Sequence, residues 1–149
     1  MVPVPSERHR AELRTDLQVE RTKLAVLVES LAALQRDWDV PVGSQERCDA
    51  AALRLQSLYT GIERCFVQIV RVLNGGPPNG ADWHRRLLDS STAKGLAELM
   101  RFRHVVRHLY AYELEPEQVQ RLLRRALELW PVVDHQLVAF DSWLQALAE

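Results

Sequence analysis

The chain has 149 residues, of which 47% are hydrophobic and 26% are charged, and its formal net charge at pH 7 is −1. A chain of this size can bury about two thirds of its unfolded surface in one core. We therefore expect a single domain over residues 1–149, with residues 1–5 as a flexible N-terminus. Because 19 basic residues are balanced by 20 acidic ones, attraction of the whole chain to nucleic acid is excluded, and such affinity requires a local basic patch.

The cysteines and the lengths of the apolar runs indicate the cellular compartment of the protein. Cys48 and Cys65 lack the paired spacing of metal knuckles or disulfide scaffolds, and we expect both to be core thiols. No apolar run approaches the roughly 20 residues of a membrane span, and the start lacks the basic-then-apolar order of a signal peptide. These features predict a cytoplasmic protein without membrane contact.

Apolar residues at three- and four-residue spacing predict two long helices in the first half of the chain. Ser6 is placed to cap the first helix, which should end near Trp38, before a Pro-Val-Gly turn. Ser44 is expected to cap a second helix that runs to about Leu73. Gly61, inside this second helix, indicates the close approach of a neighbouring helix.

The second half is predicted to be helical as well. Glycines and prolines in residues 74–80 end the second helix, and a short helix over residues 82–89 and a longer one over residues 90–112 should follow. Pro116 is placed as the first residue of the last helix, which Pro131 should kink or break. Because no strand alternation is present, the predicted fold class is all-α, an antiparallel bundle of four main helices plus a short helix.

The helix predicted over residues 90–112 carries a dense group of polar side chains. Arg103, His104, Arg107 and His108 are expected to share its outer face, opposite the apolar stripe, and Tyr110 returns to the side of Arg103. Cleavage of RNA without a metal requires a base, an acid and cations near the phosphate. Histidine and arginine side chains can do this chemistry near neutral pH.

Two other interpretations of this helix remain. The polar residues can form an ordinary solvated face. His104 and His108, four residues apart, can also both reach one zinc ion. No nearby cysteine supplies a further ligand, however, and the neighbouring arginines oppose a bound cation, so no metal site is predicted.

The motif Arg103-x4-His108-x-Tyr110 resembles the Arg-x4-His-x-Tyr motif of HepT toxins. These are small all-helical proteins of the HEPN (higher eukaryotes and prokaryotes nucleotide-binding) superfamily, and the fold expected from the resemblance is HEPN-like. His104 occupies the polar position directly after the arginine. The resemblance covers about residues 50–145. Two further similar stretches are residues 59–64 and 80–88.

The resemblance implies a metal-independent endoribonuclease, without a cofactor, that is the toxin of a type VII-like toxin–antitoxin system. Arg103 and His108 would be its catalytic residues, assisted by His104. In that family two protomers share one cleft, so a homodimer is implied. A shared cleft suits Arg103 and His108, which lie about 140° apart on one ideal helix. Glu63, in one of the similar stretches, is expected to pair with a motif arginine.

The resemblance also implies a partner and a control point. HepT toxins pair with a minimal nucleotidyltransferase antitoxin that transfers AMP onto the motif tyrosine, which corresponds to Tyr110. An adenylyl group there adds bulk and negative charge beside Arg103 and would block RNA. Arg107 makes this face more basic than the commonest form of the family. Neutralisation by complex formation alone therefore remains an alternative.

Arg121, Arg124 and Arg125 form a second basic group, on the predicted last helix. They are candidates for extending an RNA path, and a solvated face interleaved with Glu117 and Glu128 is the alternative.

A function of another class is also compatible with these residues. In this interpretation the chain is a non-catalytic helical subunit that docks and regulates a nucleotidyltransferase, using the same surface.

Overall fold

The computed structural model describes residues 5–74, 97, 98, 100, 101, 103, 104 and 114–147. Three long helices are found there: α1 (Glu7–Arg36), α2 (Ser44–Asn74) and α3 (Pro116–Ala146). The six described residues between 97 and 104 are also helical, and no strand occurs in the described ranges. The predicted all-α class is confirmed.

The predicted count of four main helices plus a short helix is not what we observe. Three main helices are described, because the predicted short helix over residues 82–89 and most of the helix predicted over residues 90–112 lie outside the described residues. Residues 1–4 of the predicted flexible N-terminus also lie outside them.

The helix ends follow local backbone chemistry. The Ser6 hydroxyl accepts a hydrogen bond from the His9 N–H at 3.2 Å, so Ser6 caps α1 as predicted. Ser44 is the first residue of α2 instead of its cap, because the carbonyl of Gly43 accepts the first helical bond, from Arg47 N–H, at 3.0 Å. Gly43 has a φ of 74°, a left-handed conformation that favours glycine at this junction.

Contacts between the helices give their directions. Arg14 pairs with Asp141 at 2.9 Å and Arg21 with Asp134 at 2.7 Å, so later residues of α1 meet earlier residues of α3. The hydrogen bond to Asp141 also raises the pKa of Arg14. On the other side, Leu24 of α1 lies against Gly61 of α2. α1 therefore contacts both of the other helices, and the two ion pairs show that it runs antiparallel to α3.

Arg64 of α2 pairs with Glu20 of α1 at 3.3 Å, so later residues of α2 meet earlier residues of α1. α1 is thus antiparallel to both α2 and α3, and these two run in the same direction. Asn74 and Pro116 consequently lie at opposite ends of the bundle.

Pro131 was predicted to kink or break the last helix; α3 is continuous from Pro116 to Ala146, so Pro131 does not break it. A proline inside a helix removes one main-chain hydrogen bond and costs about 3 kcal/mol or more. Here Trp130 before it and Val133 after it are both buried in the same core. Because Pro131 itself is on the exposed side, packing on both sides of it keeps the helix in one piece.

The two cysteines are free and buried, as predicted. Burial, with a smaller contribution from Glu20, raises the pKa of Cys65 to about 12. Burial also raises the pKa of Cys48. Both thiols therefore stay protonated near neutral pH and are poor nucleophiles.

None of the helices in the described part of the chain is long and apolar enough to cross a membrane.

Gly61 is a point of close approach between α1 and α2. A Cβ atom at this position would lie 2.4 Å from Cδ2 of Leu24, whose side chain is 3% exposed. The contact predicted from the sequence is confirmed. Only a glycine lets the leucine fill this space without displacement.

We expect Gly61→Ala to lower the free energy of unfolding by about 1 kcal/mol, because overpacking costs more than the gain in helix propensity. In a Leu24→Ala background the collision is absent. The same substitution should then raise stability by about 1 kcal/mol. Urea unfolding of the four proteins tests this change of sign, and equal destabilisation in both backgrounds would contradict the close packing at Gly61.

Candidate functional site

Arg103, the first residue of the motif, lies against α2. Its Nη1 atom donates a hydrogen bond to the Thr60 hydroxyl at 3.3 Å and lies 3.7 Å from Oε1 of Glu63. The centre of its guanidinium lies over the ring of Tyr59, 4.8 Å from the ring centroid. Three α2 side chains, close together in sequence, therefore hold the arginine.

The same side chains also hold one another. The Tyr59 hydroxyl donates a hydrogen bond to Oε2 of Glu63 at 2.8 Å, between residues four apart on one helix face. Tyr59 is fully buried, with 0% exposure, so its ring is a rigid platform for the arginine. We call Tyr59, Thr60, Glu63 and Arg103 the arginine clamp.

The clamp confirms the predicted pairing of Glu63 with a motif arginine. Tyr59 and Thr60 were not predicted to contact Arg103, although one signal was present in the sequence. A tyrosine in the apolar stripe of a helix requires a partner for its hydroxyl, and Glu63 is one turn away on the same face.

The prediction that the Arg103 side chain lies on an exposed face of its helix is wrong. Its side chain is only 14% exposed, because the Tyr59 ring, the Thr60 hydroxyl and the Glu63 carboxylate together compensate for the loss of water around the charge. His104, the next residue, is exposed as predicted. Two adjacent residues of this helical segment thus differ in environment: Arg103 faces α2, and His104 faces solvent.

Of the polar residues singled out in the motif segment, Arg103 and His104 are described. Arg107, His108 and Tyr110 lie outside the described residues. Within the part of the chain that is described, no three or more His, Cys, Asp or Glu side chains are grouped closely enough to hold a metal ion. His108, the second histidine of the alternative zinc interpretation, lies outside the described residues.

The second basic group lies on α3 beside a shallow surface depression of about 470 Å³, whose lining includes Arg121, Arg124 and Arg125. Glu98 and Glu128 line the same depression, and Nε of Arg125 lies 3.9 Å from Oε2 of Glu98. The arginines are thus brought together as predicted. Their positive charge is partly balanced by these two carboxylates, which keeps the solvated-face alternative open.

A groove of about 390 Å³ lies between α1 and α2 and reaches the arginine clamp. Arg103 and Thr60 form part of its lining, together with residues of both helices on either side of the Gly61–Leu24 contact. The candidate site is therefore an arginine held by α2 at the edge of an open groove.

Comparison with known protein families relates this chain to a family of similar proteins. Residues 50–95 and 86–144 match the model of a family described as HepT-like protein. The matched residues include α2 from Ala50 onward, all four members of the clamp and nearly all of α3. No curated protein matches the chain.

Removing the carboxylate of the clamp should destabilise the protein only when the arginine is present. We expect Glu63→Gln to lower the free energy of unfolding by about 1 kcal/mol, because the largely buried Arg103 loses its nearest anion among the described residues. In an Arg103→Met background the same substitution should have little effect. Urea unfolding of the four proteins measures the coupling, because urea is uncharged and does not screen the ion pair.

Arg101→Met is the matched control, since Arg101 is exposed on the same helical segment. Its effect and that of Glu63→Gln should add. If the effects of Arg103→Met and Glu63→Gln are also additive, the clamp has no energetic role.

Proposed function

Because the chain belongs to the HepT-like protein family, we propose that it is a HEPN-type toxin that cleaves RNA without a metal ion. The observation that carries the proposal is the family match, which spans residues 50–144 and includes the Arg103-x4-His108-x-Tyr110 motif. The arginine clamp supports it, because a guanidinium held in one direction suits recognition of a phosphate.

In the proposed reaction the ribose 2'-oxygen attacks the neighbouring phosphorus. His108 removes the 2'-hydroxyl proton and then, as the protonated imidazole, gives a proton to the departing 5'-oxygen. The P–O5' bond breaks as the new P–O2' bond forms, leaving a 2',3'-cyclic phosphate and a 5'-hydroxyl. Arg103 stabilises the charge that develops on the non-bridging oxygens, and His104 assists.

We propose that two copies of the chain form this site. On an ideal helix Arg103 and His108 diverge by about 140°, so one copy is poorly suited to bring both to the same phosphate. A homodimer that faces two such helices across a cleft provides two arginines and two histidines. Arg107 and the α3 arginines, Arg121, Arg124 and Arg125, would then contact RNA outside the scissile bond.

The proposed partner is a minimal nucleotidyltransferase antitoxin in the cytoplasm. Tyr110, two residues after His108 in sequence, is the proposed acceptor of AMP, and the added negative charge would repel RNA. If the intact mass of the protein is unchanged after co-expression with the partner, Tyr110 is not modified. Inhibition by complex formation would then be the remaining mechanism of control.

One observation favours a second candidate function. Arg103 is largely buried and already bound by Glu63 and Thr60, an arrangement that also suits a purely structural arginine. The chain would then be a non-catalytic helical subunit that docks and regulates a nucleotidyltransferase. The two candidates differ in whether the purified protein alone cleaves RNA.

We expect the purified protein, free of partner, to degrade total RNA in the presence of EDTA. His108→Ala should reduce the rate by at least about a hundredfold, since positioned proton transfer contributes about 10²–10⁴ to a rate. Arg103→Ala should reduce the rate to a similar extent, because the cation that stabilises the developing charge is removed. Gel analysis of cleavage over time measures both.

Arg101→Ala is the matched control and should retain wild-type cleavage, because Arg101 is exposed and outside the motif. Intact RNA with both the wild type and His108→Ala would contradict the ribonuclease proposal and favour the docking subunit. Inhibition of cleavage by EDTA would instead support the zinc interpretation of the two histidines.

A further inference from the structure

The groove between α1 and α2 exists because small residues line one side of it. Ser57, Thr60 and Gly61 occupy the same face of α2 at three- and four-residue spacing, and Arg64 follows on that face. The short side chains of Ser57 and Thr60 leave open space beside α1, whereas Leu24 fills the space at Gly61. The volume of about 390 Å³ is within the range of roughly 300–1,000 Å³ typical of small-ligand sites, which is enough for about one nucleotide.

The open surface of the groove is positively charged. Lys23 and Arg64 contribute two exposed cations to its lining. Arg103, at the end of the groove, is largely buried beside Glu63. Glu20 is the one carboxylate among the described lining residues. Glu20 pairs with Arg64 at 3.3 Å and its side chain is only 13% exposed, whereas that of Arg64 is 57% exposed. The cations of the groove are therefore more accessible to a ligand than the carboxylate is. This difference in exposure favours binding of an anion.

Apolar surface lies in the same groove. Leu53 is 65% exposed and Leu27 is half-buried, and both contribute to the lining. Gln56 and Ser57 add hydrogen-bonding groups beside them. Cations that follow a backbone, combined with surface that covers the face of a base, are the usual components of a site for single-stranded nucleic acid.

We propose that the groove between α1 and α2 binds the segment of single-stranded RNA that leads to Arg103. Lys23 and Arg64 contact backbone phosphates, and Leu53 covers the face of a base. This proposal rests on the proposed ribonuclease function and assigns a substrate-binding surface that lies outside the Arg-x4-His-x-Tyr motif. In this proposal α1 and α2 together form the RNA-binding surface of each protomer.

Binding is measured apart from cleavage, in a His108→Ala background that keeps the RNA intact. The probe is a fluorescein-labelled, unstructured RNA of about ten nucleotides, a length within the range of single-strand binding sites, and its anisotropy is followed from low to physiological salt. Lys23→Glu should raise the dissociation constant about tenfold and lower the slope of log affinity against log salt by about 0.7 for each phosphate that the protein no longer neutralises. Leu53→Asp should weaken binding about threefold or more, because the base is uncovered and a negative charge is added.

Each variant has a matched control at an exposed position outside the groove lining. Arg8→Glu makes the same change of charge on α1, about 22 Å along the helix from Lys23, at a side chain that is 86% exposed. Val132→Asp makes the same kind of change as Leu53→Asp, at an α3 side chain that is 43% exposed. Both controls should bind RNA like the parent, and circular dichroism confirms that all variants are folded.

The outcomes separate this proposal from the proposed function. If the wild type cleaves RNA and the parent binds it, but the groove variants bind like their controls, the groove is not the RNA path and the ribonuclease proposal stands. If an anionic peptide of equal charge displaces the RNA as well as unlabelled RNA does, the groove recognises charge alone and the assignment to RNA fails. If no RNA is bound or cleaved at all, both proposals are wrong.

Discussion

The close contact between α1 and α2 at Gly61 is the constraint on which the fold and the candidate site depend. Because Leu24 occupies the space where a Cβ atom would be, the two helices are fixed in distance and rotation at this point. The neighbouring residues of α2 are then directed outward to fixed positions. Thr60 and Glu63 reach Arg103, and Arg64 reaches Glu20. A packing contact in the core thus sets the direction of polar side chains at the surface.

The helices were predictable to the extent that their ends depend on local chemistry. A serine hydroxyl at Ser6 and a ring-fixed φ at Pro116 act within one turn, and both helices begin where expected. Pro131 shows the limit of such reasoning. Its effect depends on how well the flanking turns are packed, and the burial of Trp130 and Val133 is a tertiary property that a residue type does not encode.

The candidate site was predicted in part for a similar reason. The motif and its family resemblance led to Arg103 and to its pairing with Glu63, and the family match supports this assignment. The predicted orientation of Arg103 is wrong because a helical wheel considers one helix alone and assigns the charged residue to solvent. Tyr59 and Thr60 make burial of this charge acceptable, and their positions depend on how α2 packs. His104, which is directed away from these side chains, is exposed as the wheel predicts.

The fixed orientation of Arg103 bears on whether one copy of the chain can form the whole site. Arg103 is directed toward α2, and on an ideal helix His108 follows at a different angle. We therefore propose that each copy supplies half of a site. Mixing Arg103→Ala protein with His108→Ala protein, after subunit exchange, tests this claim most directly. We predict that the mixture regains RNA cleavage, because an exchanged dimer combines one intact arginine with one intact histidine from different copies. Cleavage no greater than the sum of the two inactive variants, with exchange verified by sedimentation, would contradict it.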